Sequence, residues 1–317
     1  MITPKQKKLK VKFSIGRNGH PSAKPRILVV LGPTATGKSS LAVRLAEDFR
    51  GEIISAYSRQ VYKGLNLGTG KITKREMSGV RHHLLDISSP AKRFSAGKFK
   101  ELGQKAISNI LANGKLPMVV GGTGFYISTL VDGLVLPEVK TNLKLQRRLL
   151  AKSAEALFAM LKKIDPKRAR GIDKHNKARL VRAIEIAEAL GRVPKIKFEI
   201  KYNPLFIGLD DTDAILKKKI KKRLIERIKN GMINEARKLH KRGLSYKRMG
   251  ELGLEYGWLA KLLRDKIGRK EFEMGLEKDI WRFVKRQRTW WKKDKRINWF
   301  RPDEYARVKK AVKSFLQ

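Results

Sequence analysis

The chain contains no cysteine, which excludes disulfides, thiolate catalysis and cysteine-held zinc and permits a reducing interior. Acidic residues are scarce: 29 Asp+Glu stand against 74 Lys+Arg, a formal net charge of +45. That excess is far beyond what solubility needs and points to a polyanionic partner, nucleic acid before membrane. Lys and Arg recur in nearly every segment, so a compositional habit competes with this reading for any single basic run. There are five histidines and none falls at metal-ligand spacing; the adjacent His82 and His83 point in divergent directions and read as structural residues. No apolar run approaches the length of a membrane span, and the first two dozen residues lack the hydrophobic stretch of a secretory signal. A soluble, cytoplasmic protein without a membrane partner is expected. Residues 1–24, Lys-rich with Pro4, Gly16, Gly19 and Pro21, read as a flexible basic arm.

Against these absences stands one strong motif. Residues Gly32 to Ser40 read GPTATGKSS, the pattern GxxxxGK[ST] of a phosphate-cradling loop. Before it lies the apolar, partly β-branched run Arg26 to Leu31, as in a strand buried on both faces. After it Leu41, Leu45 and Phe49, with Ala42 and Ala46 beside them, make one face of a helix apolar. In this setting the loop of Gly32, Pro33, Thr34, Ala35, Thr36, Gly37, Lys38 and Ser39 turns its backbone N–H groups inward. The helix beginning near Lys38 adds the positive end of its dipole. Lys38 supplies a mobile charge and Ser39 a hydroxyl for Mg²⁺.

Further strand signals at Glu52 to Ala56, Leu116 to Val120 and Leu205 to Leu209 alternate with helical periodicity over 98–112. That alternation predicts a parallel sheet flanked by helices, with its site at the carboxyl edge and Thr123 of the turn Gly121-Gly122-Thr123-Gly124 near the phosphate loop. From Pro137 to about Lys201 strand signals vanish and charged helices take over, which reads as an insertion. Asp213 is expected to cap, and Gly231 to close, a helix crowded with Lys217, Lys218, Lys219, Lys221, Lys222 and Arg223. A last helix, Phe272 to about Trp291, interleaves aromatics with basic residues; Trp281 and Trp290 are expected in its core-facing side.

Six blocks in order, GPTATGKSS, ISAYSRQVYKGLNLGTGK, HHLLD, GGTGFY, ARLVRAIE and KRQRTWW, resemble the tRNA dimethylallyltransferase family of the bacterial type without a zinc finger. The match spans residues 26 to 300. The resemblance implies an α/β fold, a P-loop NTPase-like parallel sheet with an inserted all-helical tRNA-binding subdomain. The expected division is an arm at 1–24, a core of 25–137 and 202–301, an insertion at 138–201 and a C-terminal tail at 302–317. It implies transfer of the dimethylallyl group of dimethylallyl diphosphate to N6 of adenosine 37 in a tRNA anticodon stem-loop, by a monomer that uses Mg²⁺.

The roles the resemblance carries over fall on specific positions. Lys38 and Thr123, with the loop, stabilise the leaving diphosphate. Arg248 is a further diphosphate-side candidate. Outside the resemblance, the loop motif makes Ser39 a metal ligand, and the position of Asp86 after Leu84 and Leu85 suits a strand-end Mg²⁺ ligand or, if the fold brings it close, a substitute base. The tRNA contacts are Tyr57, Ser58, Arg59 and Gln60, then Gln146 and Ala178, Arg179, Leu180, Val181 and Arg182 of the insertion, and Gln287. Two positions depart from the family. Tyr57 stands where an aspartate accepts the adenine's proton, and a neutral phenol of pKa about 10 is a poor base near neutrality. Gln146 stands where arginine is common, with Arg147 beside it. Three other functions compete: a tRNA-binding relative with weakened catalysis, an adenylate isopentenyltransferase, and a small-molecule kinase. The kinase is disfavoured because the strand ending at Val120 leads into Gly-Gly-Thr rather than into a carboxylate.

Overall fold

A computed structural model describes residues 24–317 of the chain; the basic arm falls outside them but for Lys24. Two compact units are present among them, the described residues up to Gly133 with Ile200–Gln317, and Leu134–Glu199.

The first unit is built on six strands, β1 (Arg26–Leu31), β2 (Gly51–Ser55), β3 (His82–His83), β4 (Leu116–Val120), β5 (Asn203–Leu209) and β6 (Ile297–Phe300). They lie in the order β3-β2-β4-β1-β5-β6, and every pairing is parallel. Strand side chains alternate between faces, and β1 shows the consequence directly. Ile27, Val29 and Leu31 join one core cluster with helices Ala96–Ala112, Asp213–Lys229 and Arg269–Trp291. Leu28 and Val30 join the other, with Leu41, Ala42 and Leu45 of helix Lys38–Phe49. Burial on both faces is why these strands read as unbroken apolar runs.

The register fixes the working edge. Val30 pairs with Val120, Ser55 with Val120 and Leu31 with Gly208. The chain therefore leaves the sheet side by side at Gly32, Ala56, Gly121 and Asp210, the edge where open parallel sheets carry their sites.

Several expectations are corrected. Residues 302–317 are not a tail set apart from the core: Tyr305–Leu316 is a helix whose Val308, Val312 and Leu316, four residues apart, are buried in the second cluster. The strand β6 had no sequence signal. Thr212, not Asp213, caps helix Asp213–Lys229 through its side chain, and Asn230 closes it; Gly231, at φ 99°, opens the next helix, Met232–Lys241. The insertion's bounds are Leu134–Glu199 rather than 138–201.

This second unit has its own core, Leu149, Leu157, Leu161, Leu180, Val181 and Ile184 among others. Its helices Leu143–Leu150, Ala154–Ile164, Pro166–Arg170 and Lys177–Leu190 start at Asn142, Ser153, Asp165 and Asn176. In each case the residue's side chain accepts from a backbone N–H of the first turn.

Candidate active site

The phosphate loop is fixed before any side chain is considered. Gly32 sits at φ +132°, and a Cβ there would lie 2.1 Å from the Leu209 carbonyl oxygen of β5, so only glycine lets the loop leave the sheet here. Helix Lys38–Phe49 starts from Gly37 in the left-handed region, with no side chain filling its N-terminus. Unsatisfied N–H groups there favour an anion.

Lys38 points back into the loop and is 4% exposed. Its Nζ donates to the Pro33 carbonyl and, at 3.4 Å, to Thr36 Oγ1. Burial, reinforced by the charge of Arg223 and partly offset by Asp210, pulls its pKa down to about 7. Asp210 gives little relief, because Arg288 holds both its oxygens, Nε to Oδ2 at 2.9 Å and Nη2 to Oδ1 at 3.0 Å. A buried ammonium in this state is stabilised by an incoming anion.

Tyr57 leaves the end of β2 and lines one cleft with Ser39, Ser55 and Gln60. The centre of its ring is 5.9 Å from Lys38 Nζ. Desolvation pushes its phenol up to about 12, although a hydrogen bond with the Ser39 side chain and the charge of Arg223 both pull the other way. Thr123 closes the group: its N–H donates to the Ala56 carbonyl at 3.2 Å and its Oγ1 accepts from Ser58 N at 3.1 Å. Lys38, Ser39, Tyr57 and Thr123 thus meet at the carboxyl edge.

Arg223 belongs to this group and was missed from the sequence, where it is one cation in a run of them. Its charge acts on both Lys38 and Tyr57, and the crowding of protein around its guanidinium holds its own pKa below the ordinary range. No sequence signal singles it out. Leu216, Ile220, Leu224 and Ile228 form the buried stripe of helix Asp213–Lys229; Arg227 beside it is half-buried, while Arg223 is exposed like Lys217, Lys218, Lys221 and Lys222, its guanidinium reaching over Gly70.

Other candidates are spent elsewhere. Gln287 is 5% exposed; its Oε1 accepts from Thr34 N and its Nε2 donates to the Gly122 carbonyl, each at 2.9 Å. It is a strut between the phosphate loop and the GGTG turn, not a surface for nucleic acid. Gln60 is likewise buried, and its Nε2 donates to the carbonyls of Thr69 and Gly70. The Arg248 guanidinium is consumed by the carbonyls of Pro90 and Lys92, the Tyr62 hydroxyl and Glu251, which removes it from the diphosphate side. Arg59 stands half-buried, with burial lowering its pKa. Of the two tryptophans expected on the core side, Trp281 packs half-buried against the main core, while Trp290 is exposed and Trp291 takes the fully buried position.

In the second unit, Leu180 and Val181 are core residues and cannot touch a ligand, while Ala178 and Arg179 are exposed. Gln146 and Arg182 converge on the buried Glu185, which also accepts from Asn142 N. Arg182 donates to the Val139 carbonyl as well.

The metal assignment splits. Ser39, at the loop, fits as one oxygen ligand of a divalent ion carried by a diphosphate. Asp86 does not: it lies beyond the end of β3, and Lys71 Nζ donates to its Oδ1 at 2.6 Å. No group of three or more His, Asp or Glu able to hold a metal occurs among the described residues. His83 pairs with the buried Glu52 at 2.6 Å and His82 with the Val80 carbonyl. No helix of the described residues is long and apolar enough to cross a membrane.

Three comparisons bear on this site. The family model described as IPP transferase matches residues 60–294. The tRNA dimethylallyltransferase 2 of Treponema denticola is 42% identical over 288 residues, covering 88% of this chain and 96% of that protein. The tRNA dimethylallyltransferase 1 of Syntrophus aciditrophicus is 37% identical over 300 residues, covering 92% and 98%. Among solved structures, the tRNA isopentenylpyrophosphate transferase of Bacillus halodurans superposes with a TM-score of 0.71 at 32% identity, covering 92% of this chain and 97% of that one.

Proposed function

The chain belongs to the IPP transferase family, and on that premise we propose that it transfers the dimethylallyl group of dimethylallyl diphosphate to N6 of adenosine 37 in the anticodon stem-loop of tRNA. It acts in this reading as a cytoplasmic monomer. The observation that carries the reading is Lys38, buried in the phosphate loop with the charge of Arg223 acting on it, at a sheet edge where Asp210 is held by Arg288. Such a site is made to receive several negative charges.

In the reaction the allylic C–O bond breaks and its electron pair stays on the bridging oxygen, while the N6 lone pair forms the new C–N bond and the N6 proton passes to the small phenolate fraction of Tyr57. Negative charge therefore grows on the diphosphate as the bond lengthens. Lys38 Nζ, the N–H groups at the start of helix Lys38–Phe49 and the Arg223 guanidinium stabilise that charge, a task worth a few kcal/mol for each well-placed donor. The Thr123 hydroxyl, whose oxygen already accepts from Ser58 N, keeps its proton to donate to the leaving group. Mg²⁺ bound to the diphosphate, with Ser39 as its protein ligand, would supply further charge neutralisation.

Phosphoryl transfer to a small molecule needs a residue that activates or positions the nucleophile. β4 ends in Gly121-Gly122-Thr123 and β2 in Ala56-Tyr57, which offer no carboxylate for that work. A slow enzyme is favoured over a fast one by a specific observation: a phenol held near 12 at the position of the family's base. The test is incubation with labelled dimethylallyl diphosphate, Mg²⁺ and stem-loops with or without adenosine at position 37. Label is expected on RNA only in the former; label on AMP in preference to the stem-loop, or ADP released from ATP, would overturn the reading.

A further inference from the structure

The last turn of helix Arg269–Trp291 meets the turn after β4 through two side chains three residues apart. Gln287 bonds the Gly122 carbonyl from inside, and Trp290 lies over Gly124 from outside. A Cβ on Gly124 would come within 2.3 Å of Trp290 Nε1 and 2.4 Å of Cδ1. The five-membered ring of the indole thus rests on bare backbone, one residue from Thr123. The buried Trp291 meets it edge-on, with ring centroids 6.4 Å apart and planes at 75°. That packing fixes the ring's orientation.

Fixed in this way, Trp290 is nevertheless 46% exposed, and Phe125, which follows Gly124, is 42% exposed. An aromatic ring held in one orientation and open to water is a ready surface for stacking. Trp281 on the same helix shows the contrast, with Lys217, Lys285 and Arg288 over its ring. Next to Trp290 in the chain, the helix end instead exposes Lys292 and Lys293, with Arg286 one turn back over the Phe283 ring. Single-stranded nucleic acid fits that pattern, its bases stacking on the ring and its phosphates meeting the cations.

We propose that Trp290 is the platform on which a base neighbouring the acceptor adenosine stacks once the loop is unstacked, so that the adenosine is held over Thr123. The proposal rests on the tRNA-modifying reading above. Trp290 acts as a positioning residue and takes no part in bond making.

The test uses the full chain and a stem-loop carrying 2-aminopurine in turn on the 5′ and the 3′ side of the acceptor adenosine. Binding to the unaltered protein is expected to quench one of the two probes. Trp290→Ala should abolish that quench and weaken stem-loop binding by about tenfold, the ordinary worth of one stacked base. The slope of affinity against salt and the affinity for dimethylallyl diphosphate should not change, and Trp290→Phe should recover most of the loss. A quench that survives Trp290→Ala, stem-loop affinity within twofold, or a loss confined to dimethylallyl diphosphate would overturn the platform. Turnover is measured separately: quenching without prenyl transfer would defeat the assigned reaction and leave the platform standing, and no RNA binding by the unaltered protein would defeat both.

Discussion

Replacing Tyr57 by aspartate is expected to speed this protein up. The phenol is pushed up to about 12, so at pH 7.5 only about one molecule in 30,000 carries the phenolate that could take a proton from the adenine amine. A carboxylate at the same point, near Lys38 and Arg223, is ionised throughout the neutral range. General-base catalysis contributes roughly 10² to 10⁴ in rate, and aspartate is shorter than tyrosine, so we set the expected rise in kcat at tenfold or more. Single-turnover transfer of labelled dimethylallyl to a stem-loop measures it. Tyr57→Asn controls for the removal of a bulky ring and for loss of the contact with Ser39; it should show no comparable gain. The pH profiles should differ in kind: the unaltered protein gains rate with pH toward 9 as phenolate accumulates, while Tyr57→Asp is flat above about pH 6. A folded Tyr57→Asp protein with kcat within twofold of the original, or an equal gain in Tyr57→Asn, would refute the reasoning.

Inorganic diphosphate binding at pH 8 should take up close to one proton, because Lys38 sits near 7 when free and is recharged by the anion; calorimetry in buffers of different ionisation enthalpy reads this directly. The folded pKa of Lys38 lies below its unfolded value of 10.5, so between pH 7 and 10.5 the unfolded chain binds more protons and stability rises with pH over that window. Lys38→Met should flatten that rise in denaturant titrations. Arg223→Ala should weaken dimethylallyl diphosphate binding at least tenfold and, by removing a repelling charge, raise the Lys38 pKa and shrink the proton uptake. Gln287→Ala leaves Thr34 N and the Gly122 carbonyl without partners and should cost about 1–3 kcal/mol of stability, with a raised KM for the diphosphate. Ending the chain after Asp303 removes Val308, Val312 and Leu316 from the sheet, at roughly 1.5 to 3 kcal/mol for each buried side chain; loss of the protein from the soluble fraction is expected.

What was legible from residues alone followed burial. β1, β2, β4 and β5 are covered on both faces or nearly so, and their apolar runs announce them. β6 has only Ile297 fully buried, with Asn298 and Trp299 exposed at the sheet's edge, and four residues after a basic stretch give no periodicity to read. Helix Tyr305–Leu316 hides for a related reason: its stripe is three residues wide among lysines. The site was legible where one short segment carries it, as in Gly32 to Ser39. It was not legible where contacts join distant residues. Gln287 reaches Thr34 across 253 positions, and a buried glutamine looks in sequence like an exposed one. Arg223 and Arg248 show the same limit from both sides, since the charge of one acts on Lys38 and Tyr57 and the other is consumed by carbonyls 156 and 158 positions away.

These placements give Tyr57 a physical meaning beyond its weakness as a base. Lys38 and Arg223 repel one another, and their mutual effect is part of why the lysine is only half charged near neutrality. An aspartate between them would relieve that repulsion in the empty site and leave less to be gained when diphosphate arrives. A neutral tyrosine leaves the two cations uncompensated, so the gain on binding a polyanion is larger, and larger still as charge collects on the leaving group. The same feature strengthens the hold on free diphosphate after transfer. Tyr57 thus adds slow release of the product to slow proton removal at N6, and Tyr57→Asp should loosen inorganic diphosphate while it quickens proton removal. If diphosphate instead inhibits the Tyr57→Asp protein more strongly than the original, charge compensation at this position has been assigned the wrong way round.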